Sequence, residues 1–293
     1  MYVIKESGEK EKLKLGRLKE TIRYSGASES LANKAVRMIK DMAYPGITTR
    51  EILHMVMEVL REEPGVAQRY SLKRAIMLLG PTGFPFEKFI AKVLREYGYD
   101  ARTGVFVRGK CVMQEVDVMA LKEGKRFMIE CKYHNIPGKK TDLKVVMYTY
   151  ARFLDVQHSG FDQPWLITNT KCTSEAETYS RCMGIKIIGW NYPYGEGLEK
   201  MLMERNLYPI TTLESINPAI KQRLLRTNVV LVGDLLRKNF LYLKIRTGLH
   251  RKLLEKLREE AKYVLSYCVK PGEQQPNPNY RMPTCLSSSS KNE

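Results

Sequence analysis

The segment from Gln114 to Lys132 carries the densest set of side chains able to do chemistry. It reads QEVDVMALKEGKRFMIECK, two alternating extended runs joined at Glu123-Gly124, a reversal that uses the positive φ glycine accepts. Alternation sets Glu115 and Asp117 on one face of the first run, with Val116 and Val118 on the other. In the second run Glu130 and Lys132 share a face, and Ile129 and Cys131 point away. If Lys122 pairs with Lys125, Asp117 faces Glu130 and Glu115 faces Lys132. That register brings two carboxylates to roughly 5 Å at their Cβ atoms, which is destabilising unless something positive sits between them. A divalent cation with oxygen ligands meets the need: Mg2+ (or Mn2+) takes one or two carboxylates and completes its shell with water and phosphate oxygens. Lys132 is then placed to orient or deprotonate an attacking water, or to stabilise charge growing on phosphorus. Metal-assisted hydrolysis of a phosphodiester needs those parts. Composition alone favours a solvated, charged hairpin face. Val116, Val118, Met128 and Ile129 flank the carboxylates, however, and predict central strands.

The elements that must hold this hairpin lie on either side of it. An amphipathic helix with Phe86, Phe89, Ile90, Val93 and Leu94 precedes it, and a further strand falls near 104–108. After it come a helix at about 141–155, a strand at Trp165-Leu166-Ile167-Thr168, a helix at 173–183 and a last strand from Ile185 to Gly189. The closing strand–helix–strand order predicts a parallel pair at one side of a mixed sheet. This middle unit spans 81–195. Upstream, residues 1–80 open with a short strand and a turn at Ser7-Gly8. Helical patterns follow at 16–25, 29–43, 48–62 and 66–79, with Ser28 or Ser30 and Thr48 or Thr49 as caps. Downstream, 196–268 is helical, and 269–293, rich in Pro, Asn, Gln and Ser, lacks the apolar content to order itself. The fold class is α/β multidomain.

Charge narrows the partners. In 293 residues Lys plus Arg (49) exceeds Asp plus Glu (32), giving a net charge of +17. A surplus that large points to a polyanion, either nucleic acid or an anionic membrane surface. It is concentrated in the third unit, where twelve basic residues from Lys221 to Lys262 face four acidic ones. Such a helix surface neutralises phosphates without reading sequence. No apolar run nears the roughly 20 residues that span a bilayer. The amino end has no apolar signal core, so a cytoplasmic protein is expected. The six cysteines are scattered, none in a CxxC pair, which excludes a zinc ribbon or disulfide scaffold.

A carboxylate on one strand followed by Glu-x-Lys on the next resembles the core of the restriction-endonuclease-like nucleases (the PD-(D/E)xK pattern), especially the Mrr-type and archaeal Holliday-junction-resolvase branches. Gly83-Phe84-Pro85-Phe86-Glu87 is similar to the helix-opening motif of that branch, and Leu166-Ile167-Thr168-Asn169 with Gly184-Ile185-Lys186-Ile187-Ile188 to its closing unit. The resemblance implies a mixed-sheet α/β fold in which Asp117 and Glu130 hold the metal, Lys132 is the catalytic lysine and Glu87 an accessory acid. Glu115 is a neighbour of the ligands. His134 and Asn169 read as an ordinary polar residue and a turn former.

Residues 1–75 resemble the ATP-cone, the regulatory nucleotide-binding module of ribonucleotide reductases and their repressor. Val3, Lys5 and Gly8 match its Val-x-Lys-x-x-Gly opening, Lys14 and Arg17 its basic helix start, Gly46-Ile47-Thr48-Thr49 its Gly-Ile-x-Thr segment, and Ala67 and Tyr70 its closing helix. This implies nucleotide contacts from Lys5, Glu11, Lys14, Arg17 and Thr49, with Lys73 weaker. No GK[ST] phosphate loop is present, so ATP or dATP is expected as an effector rather than a fuel. Residues 213–236 resemble a helix–hairpin–helix element, with Asn217-Pro218 where its hairpin has Gly-x-Gly. The resulting expectation is a metal-dependent DNA endonuclease regulated by ATP or dATP, with a homodimer as the arrangement suited to cutting both strands. The alternative is a nucleotide-responsive DNA-binding regulator with an inactive nuclease fold.

Overall fold

A computed structural model describes residues 1–6 and 8–266; the tail expected at 269–293 lies outside them. The chain opens with an antiparallel hairpin, β1 (Tyr2–Ile4) and β2 (Lys10–Lys12). Gly8, at φ 83°, makes the reversal. The free edge of β1 is covered by 46–48: Ile4 N–H donates to the Ile47 carbonyl at 3.0 Å, and Gly46 N–H to Tyr2. Four helices follow, α1 (Leu15–Tyr24), α2 (Glu29–Met42), α3 (Thr49–Leu60) and α4 (Val66–Tyr70). Two starts are fixed by side chains, because the first N–H groups of a helix have no carbonyl of their own. Ser28 accepts from Leu31 N–H at 3.1 Å, and Thr48 with Glu51 forms a reciprocal capping box. Val3, Ile22, Leu31, Ile39, Ile47, Val56 and Leu60 close a core of their own.

The helical pattern predicted for 66–79 is split at Ser71, and α5 (Leu72–Met77) starts anew. The split separates two cores. Val66 and Ala67 join the first; Leu72, Ile76 and Leu79 join a second that contains Phe86, Phe89, Ile90 and Leu94 of α6 (Phe84–Glu96). This helix lies on a five-stranded sheet of β3 (Asp100–Arg108), β4 (Met113–Lys122), β5 (Lys125–Lys132), β6 (Gln163–Thr168) and β7 (Lys186–Ile188), in that spatial order. The first two joints are antiparallel and the last two parallel, so the sheet is mixed and β4 and β5 are interior strands. Val146 of α7 (Leu143–Val156) and Ala176 of α8 (Ser174–Cys182) pack with Leu166 and Ile187 in a separate cluster. Phe153 and Val156 of α7 pack with Met128.

The second core continues into α9 (Leu198–Glu204), α10 (Pro218–Arg226), α11 (Val232–Arg237), α12 (Phe240–Thr247) and α13 (Arg251–Leu265) through Leu202, Leu224, Val230, Leu235, Leu243, Leu254 and Leu257. Asn217-Pro218, read from the sequence as a hairpin, instead opens a helix: Asn217 Oδ1 caps Ile220 N–H at 2.9 Å and Pro218 is the first residue of α10. The reversal between α10 and α11 falls at 227–231, with Asn228 at φ 56°. Arg69, 3% exposed, ties the first core to α13. Its Nε donates to Ser25 O and its Nη1 to the Tyr263 and Val264 carbonyls. Among the described residues no helix is long and apolar enough to cross a membrane.

Lys92 of α6 and Asp234 of α11 meet at 2.6 Å with side chains 12% and 8% exposed. Asp234 also accepts from Val230 and Leu231 N–H. Burial raises its carboxyl, but Lys92 and the two amides outweigh that and hold it below the ordinary carboxylate range. Burial also lowers the Lys92 ammonium, which works against the pair; the donors on Asp234, Arg237 Nη2 at 3.2 Å among them, decide the sign. Asp234→Ala leaves the ammonium buried without a counter-charge, only the Asn228 carbonyl at 2.8 Å remaining, and is expected to cost about 3–5 kcal/mol at neutral pH, read from urea midpoints. The wild-type contribution is complete above the ordinary carboxylate value and is lost as pH falls through the lower folded value. Midpoints should therefore drop more steeply on acidification in wild type than in the variant, and parallel curves would disprove this assignment.

Candidate active site

The β4–β5 ladder runs in the expected register, from Lys122 opposite Lys125 to Val118 opposite Ile129. It ends there, one pair short of Asp117 and Glu130. Instead of pairing through its backbone, Asp117 turns its carboxylate inward, and Oδ2 accepts the Cys131 N–H at 2.8 Å. Across the other ladder Gly104, at φ 60°, occupies the place opposite Asp117, between the pairs Thr103–Val118 and Val105–Val116. Glycine in a strand interior marks a bend or a close approach. Here a Cβ would find only Glu115 Oε1 nearby, at 3.8 Å. The bend changes the alternation: Val118 enters the core under α6, whereas Val116 packs with Met128, Phe153 and Val156. The two valines expected on one face thus serve different cores, because β4 twists where it leaves β5.

Around this parting of strands the structure gathers Glu87, Glu115, Asp117, Glu130 and Lys132. Glu130 and Lys132 lie two residues apart at the end of β5, where the strand has passed from β4 to parallel pairing with Leu166 and Thr168. Glu87 comes from the first turn of α6 and folds back toward Gly83, 3.4 Å from the place of a Cβ there. Burial pushes the Glu87 carboxyl up to about 7, and the charges of Asp117, Glu115 and Glu130 add to the shift. Burial also raises Asp117; Cys131 N–H, Arg152 and Lys132 pull it down, and Glu115 pushes it up. Glu130 is raised by burial and then by Asp117, against Arg152 and Lys132. A cluster of acids held above their ordinary range is a functional-site signature.

Sequence reasoning missed two members of the site. Gly104 is one; a glycine inside a strand pattern was its available signal. The other is Arg152 of α7, whose Nη1 lies 2.6 Å from Glu130 Oε2 and 3.8 Å from Asp117 Oδ1. Its only sequence mark is a lone arginine in an apolar helix, four residues after Tyr148. Among the described residues no three His, Cys, Asp or Glu side chains converge closely enough to hold a metal by themselves. Two half-buried carboxylates already balanced by a cation do fit a hard divalent ion whose remaining ligands are water and phosphate oxygens.

The strand end that carries Lys132 is fixed by a buried polar network. Asn169 Oδ1 accepts His134 N–H at 2.9 Å and its Nδ2 donates to the His134 carbonyl at 2.7 Å, so Asn169 clamps a backbone as well as lying in a turn. His134 Nε2 meets Thr141 Oγ1 at 3.1 Å, and Thr141 in turn meets Thr168. Burial, then the Lys139 and Lys132 charges, lowers the His134 ring to about 4, so it is neutral at physiological pH and offers a phosphate no positive charge. Tyr133, beside Lys132, donates its hydroxyl to the Met77 carbonyl at 2.5 Å.

The expected nucleotide contacts lie on the first core. A bridge between Ile4 and Thr48 sets Lys5 beside Thr49, the first residue of α3. Lys5 meets Glu11 at 2.9 Å and Glu9 at 3.3 Å. Lys14 and Arg17 stand exposed at the start of α1. The Lys5 ammonium holds Glu11 below the usual range, with Arg17 and Lys171 contributing. Lys171 follows β6, so this cluster faces the unit that carries the acids. Burial lowers Lys73, whose Nζ lies 5.6 Å from the Trp190 ring.

Comparison with known proteins finds three modules along the chain. Residues 1–77 match the model of the ATP cone domain, 80–191 that of a restriction endonuclease, and 208–265 that described as AF1548-like, C-terminal. An uncharacterized protein of Archaeoglobus fulgidus is 47% identical over 176 residues, 60% of this chain and 99% of the relative. A solved structure titled as the protein of unknown function AF1548 aligns with a TM-score of 0.58 at 44% identity, over 63% of this chain and 99% of that one.

Asn169→Ala leaves the buried His134 N–H and carbonyl without partners and is expected to cost roughly 2–4 kcal/mol by chemical denaturation. Hydrogen exchange at the His134 amide should accelerate. An unchanged exchange rate would show that something else holds the end of β5.

Proposed function

We propose that this chain, which belongs to the family of the Archaeoglobus fulgidus protein and joins an ATP cone domain to a restriction endonuclease domain, is a metal-dependent DNA endonuclease regulated by ATP or dATP. The observation that carries the reading is the convergence of Asp117 and Glu130 with Lys132 where β4 and β5 part. Asp117 and Glu130 would hold Mg2+ or Mn2+, which when bound polarises a phosphate and activates a water.

In this reading each side chain has a distinct task. Asp117 is oriented by the Cys131 amide, which leaves Oδ1 toward the site. Lys132, on the strand end clamped through Asn169, orients the attacking water and stabilises the added negative charge on phosphorus. Glu87, raised to about 7, sits near neutrality and can take up the proton the water releases. Gly104 leaves room beside Asp117 for the nucleic-acid backbone.

The third unit supplies grip. Lys244 and Arg246 of α12 and Lys252 and Lys256 of α13 are exposed. A cavity of about 720 Å³ between α11, α12 and α13 is lined by Phe240, Lys244, Arg251, Arg258 and Lys262, with Glu255 and Glu259 paired to Arg251 and Lys262. Both features suit phosphates and apolar base or sugar faces. We divide the chain at about 80, 195 and 268 and place its action in the cytoplasm. A homodimer would present two such centres to a duplex. Nucleotide bound by Lys5, Glu11, Lys14, Arg17 and Thr49 would bias the docking of the cone, because the Lys171 charge, just past β6, acts on Glu11 of that face.

Lys132→Ala is expected to lower Mg2+-dependent plasmid nicking at least about 100-fold while the gel shift of DNA stays unchanged. Wild-type protein that shifts plasmid but never nicks it with Mg2+ or Mn2+ would favour the inactive-fold regulator. Arg17→Ala should weaken ATP or dATP binding in calorimetry and leave nucleotide-free nicking intact; equal nucleotide affinity would take Arg17 out of the effector site.

A further inference from the structure

Arg152 occupies the position where the two carboxylates call for positive charge. It reaches in from α7 with 13% of its side chain exposed, and Nη1 lies 2.6 Å from Glu130 Oε2 and 3.8 Å from Asp117 Oδ1. An arginine built to brace a carboxylate permanently presents two parallel N–H groups to it. Here one carboxylate receives a single close N–H, the other a longer contact, and the buried Nε–H has no acceptor among the described residues. The guanidinium also has a way out. Its carbon lies 4.7 Å from the centre of the Tyr148 ring, its Nη2 donates to the Tyr148 hydroxyl, and that tyrosine is 54% exposed at the surface.

A divalent cation shared by Asp117 and Glu130 would need the Glu130 lone pair that Arg152 now fills. It would also repel the guanidinium at close range. Both cannot hold the same place. We infer that Arg152 is a displaceable counter-ion: it neutralises the Asp117–Glu130 pair until a divalent cation enters, then withdraws along the Tyr148 ring to the mouth of the site, where it faces the phosphate. The inference rests on the reading of Asp117 and Glu130 as metal ligands. Arg152 is accordingly a positioning residue whose removal has opposite effects on metal affinity and turnover.

The test is calorimetric titration of the full chain with MnCl2, without DNA, for wild type and Arg152→Gln. The glutamine variant should bind Mn2+ about 10-fold more tightly, since no guanidinium must be expelled. Its thermal midpoint should fall in metal-free buffer and recover at saturating Mn2+, and its kcat for nicking should drop. Unchanged or weaker Mn2+ binding in the variant would overturn the inference while leaving the ligand reading intact. Absence of Mn2+ binding in both proteins would bring down the ligand reading and the inference with it. Where Arg152→Gln does not fold with or without Mn2+, Arg152→Met decides. Its neutral chain fills the same space and leaves no charge to expel, so tighter binding than wild type is expected, and equal or weaker binding refutes the displacement.

Discussion

Two acids brought out of water against each other are the constraint on which this molecule turns. Asp117 and Glu130 lie on interior strands under a helix, where burial works against their charge and the Asp117 charge raises Glu130 further. The fold tolerates the arrangement by surrounding it with oriented donors. The Cys131 amide takes one Asp117 oxygen, Arg152 comes in from α7, and Lys132 lies two residues along the strand. None of these donors is local in sequence to the whole group. The sheet order is therefore a requirement of the site: an antiparallel joint brings Asp117 to β5, and a parallel joint on the other side of β5 lets the strand end with Lys132 free of β4.

The same economy governs the join between modules. The ATP cone domain, as a family match, extends to residue 77, yet its own core closes at Ala67 and α5 packs with the nuclease core. The physical seam is Ser71. On one side Arg69 binds α13; on the other Met77 receives the Tyr133 hydroxyl, one residue from Lys132. A short, hydrogen-bonded route therefore runs from the cone to the strand end that carries the lysine.

Charge at the level of composition says less about surface than its size suggests. The net surplus of +17 includes many cations spent inside the fold. Arg258 donates to the Leu235, Leu236 and Lys238 carbonyls at the end of α11, Arg95 to Ala101, Lys221 to Leu78, and Lys92 is buried on Asp234. What remains outward on α12 and α13, Lys244, Arg246, Lys252 and Lys256 among them, is a smaller and more localised field. Counting residues could not separate the two uses, because an arginine that caps a helix and one that faces solvent are the same letter.

Local rules were enough for much of the architecture. Period-2 alternation and one Glu-Gly turn set the β4–β5 register, because a one-residue slip would turn every apolar side chain to the wrong face. Ser28 and Thr48 marked helix starts, since a hydroxyl there meets amides that lack partners. What alternation could not foresee was its own interruption at Asp117, which depends on a left-handed glycine in a different strand. The reach of Arg152 from α7 and the grip of Asn169 on the His134 backbone were equally hidden, because each joins residues twenty to thirty-five positions apart through tertiary packing. Sequence determined which residues carry charge and how each strand and helix is patterned. Tertiary structure alone decided which charges meet, since the free energy of a buried ion is set by its neighbours in space and not along the chain.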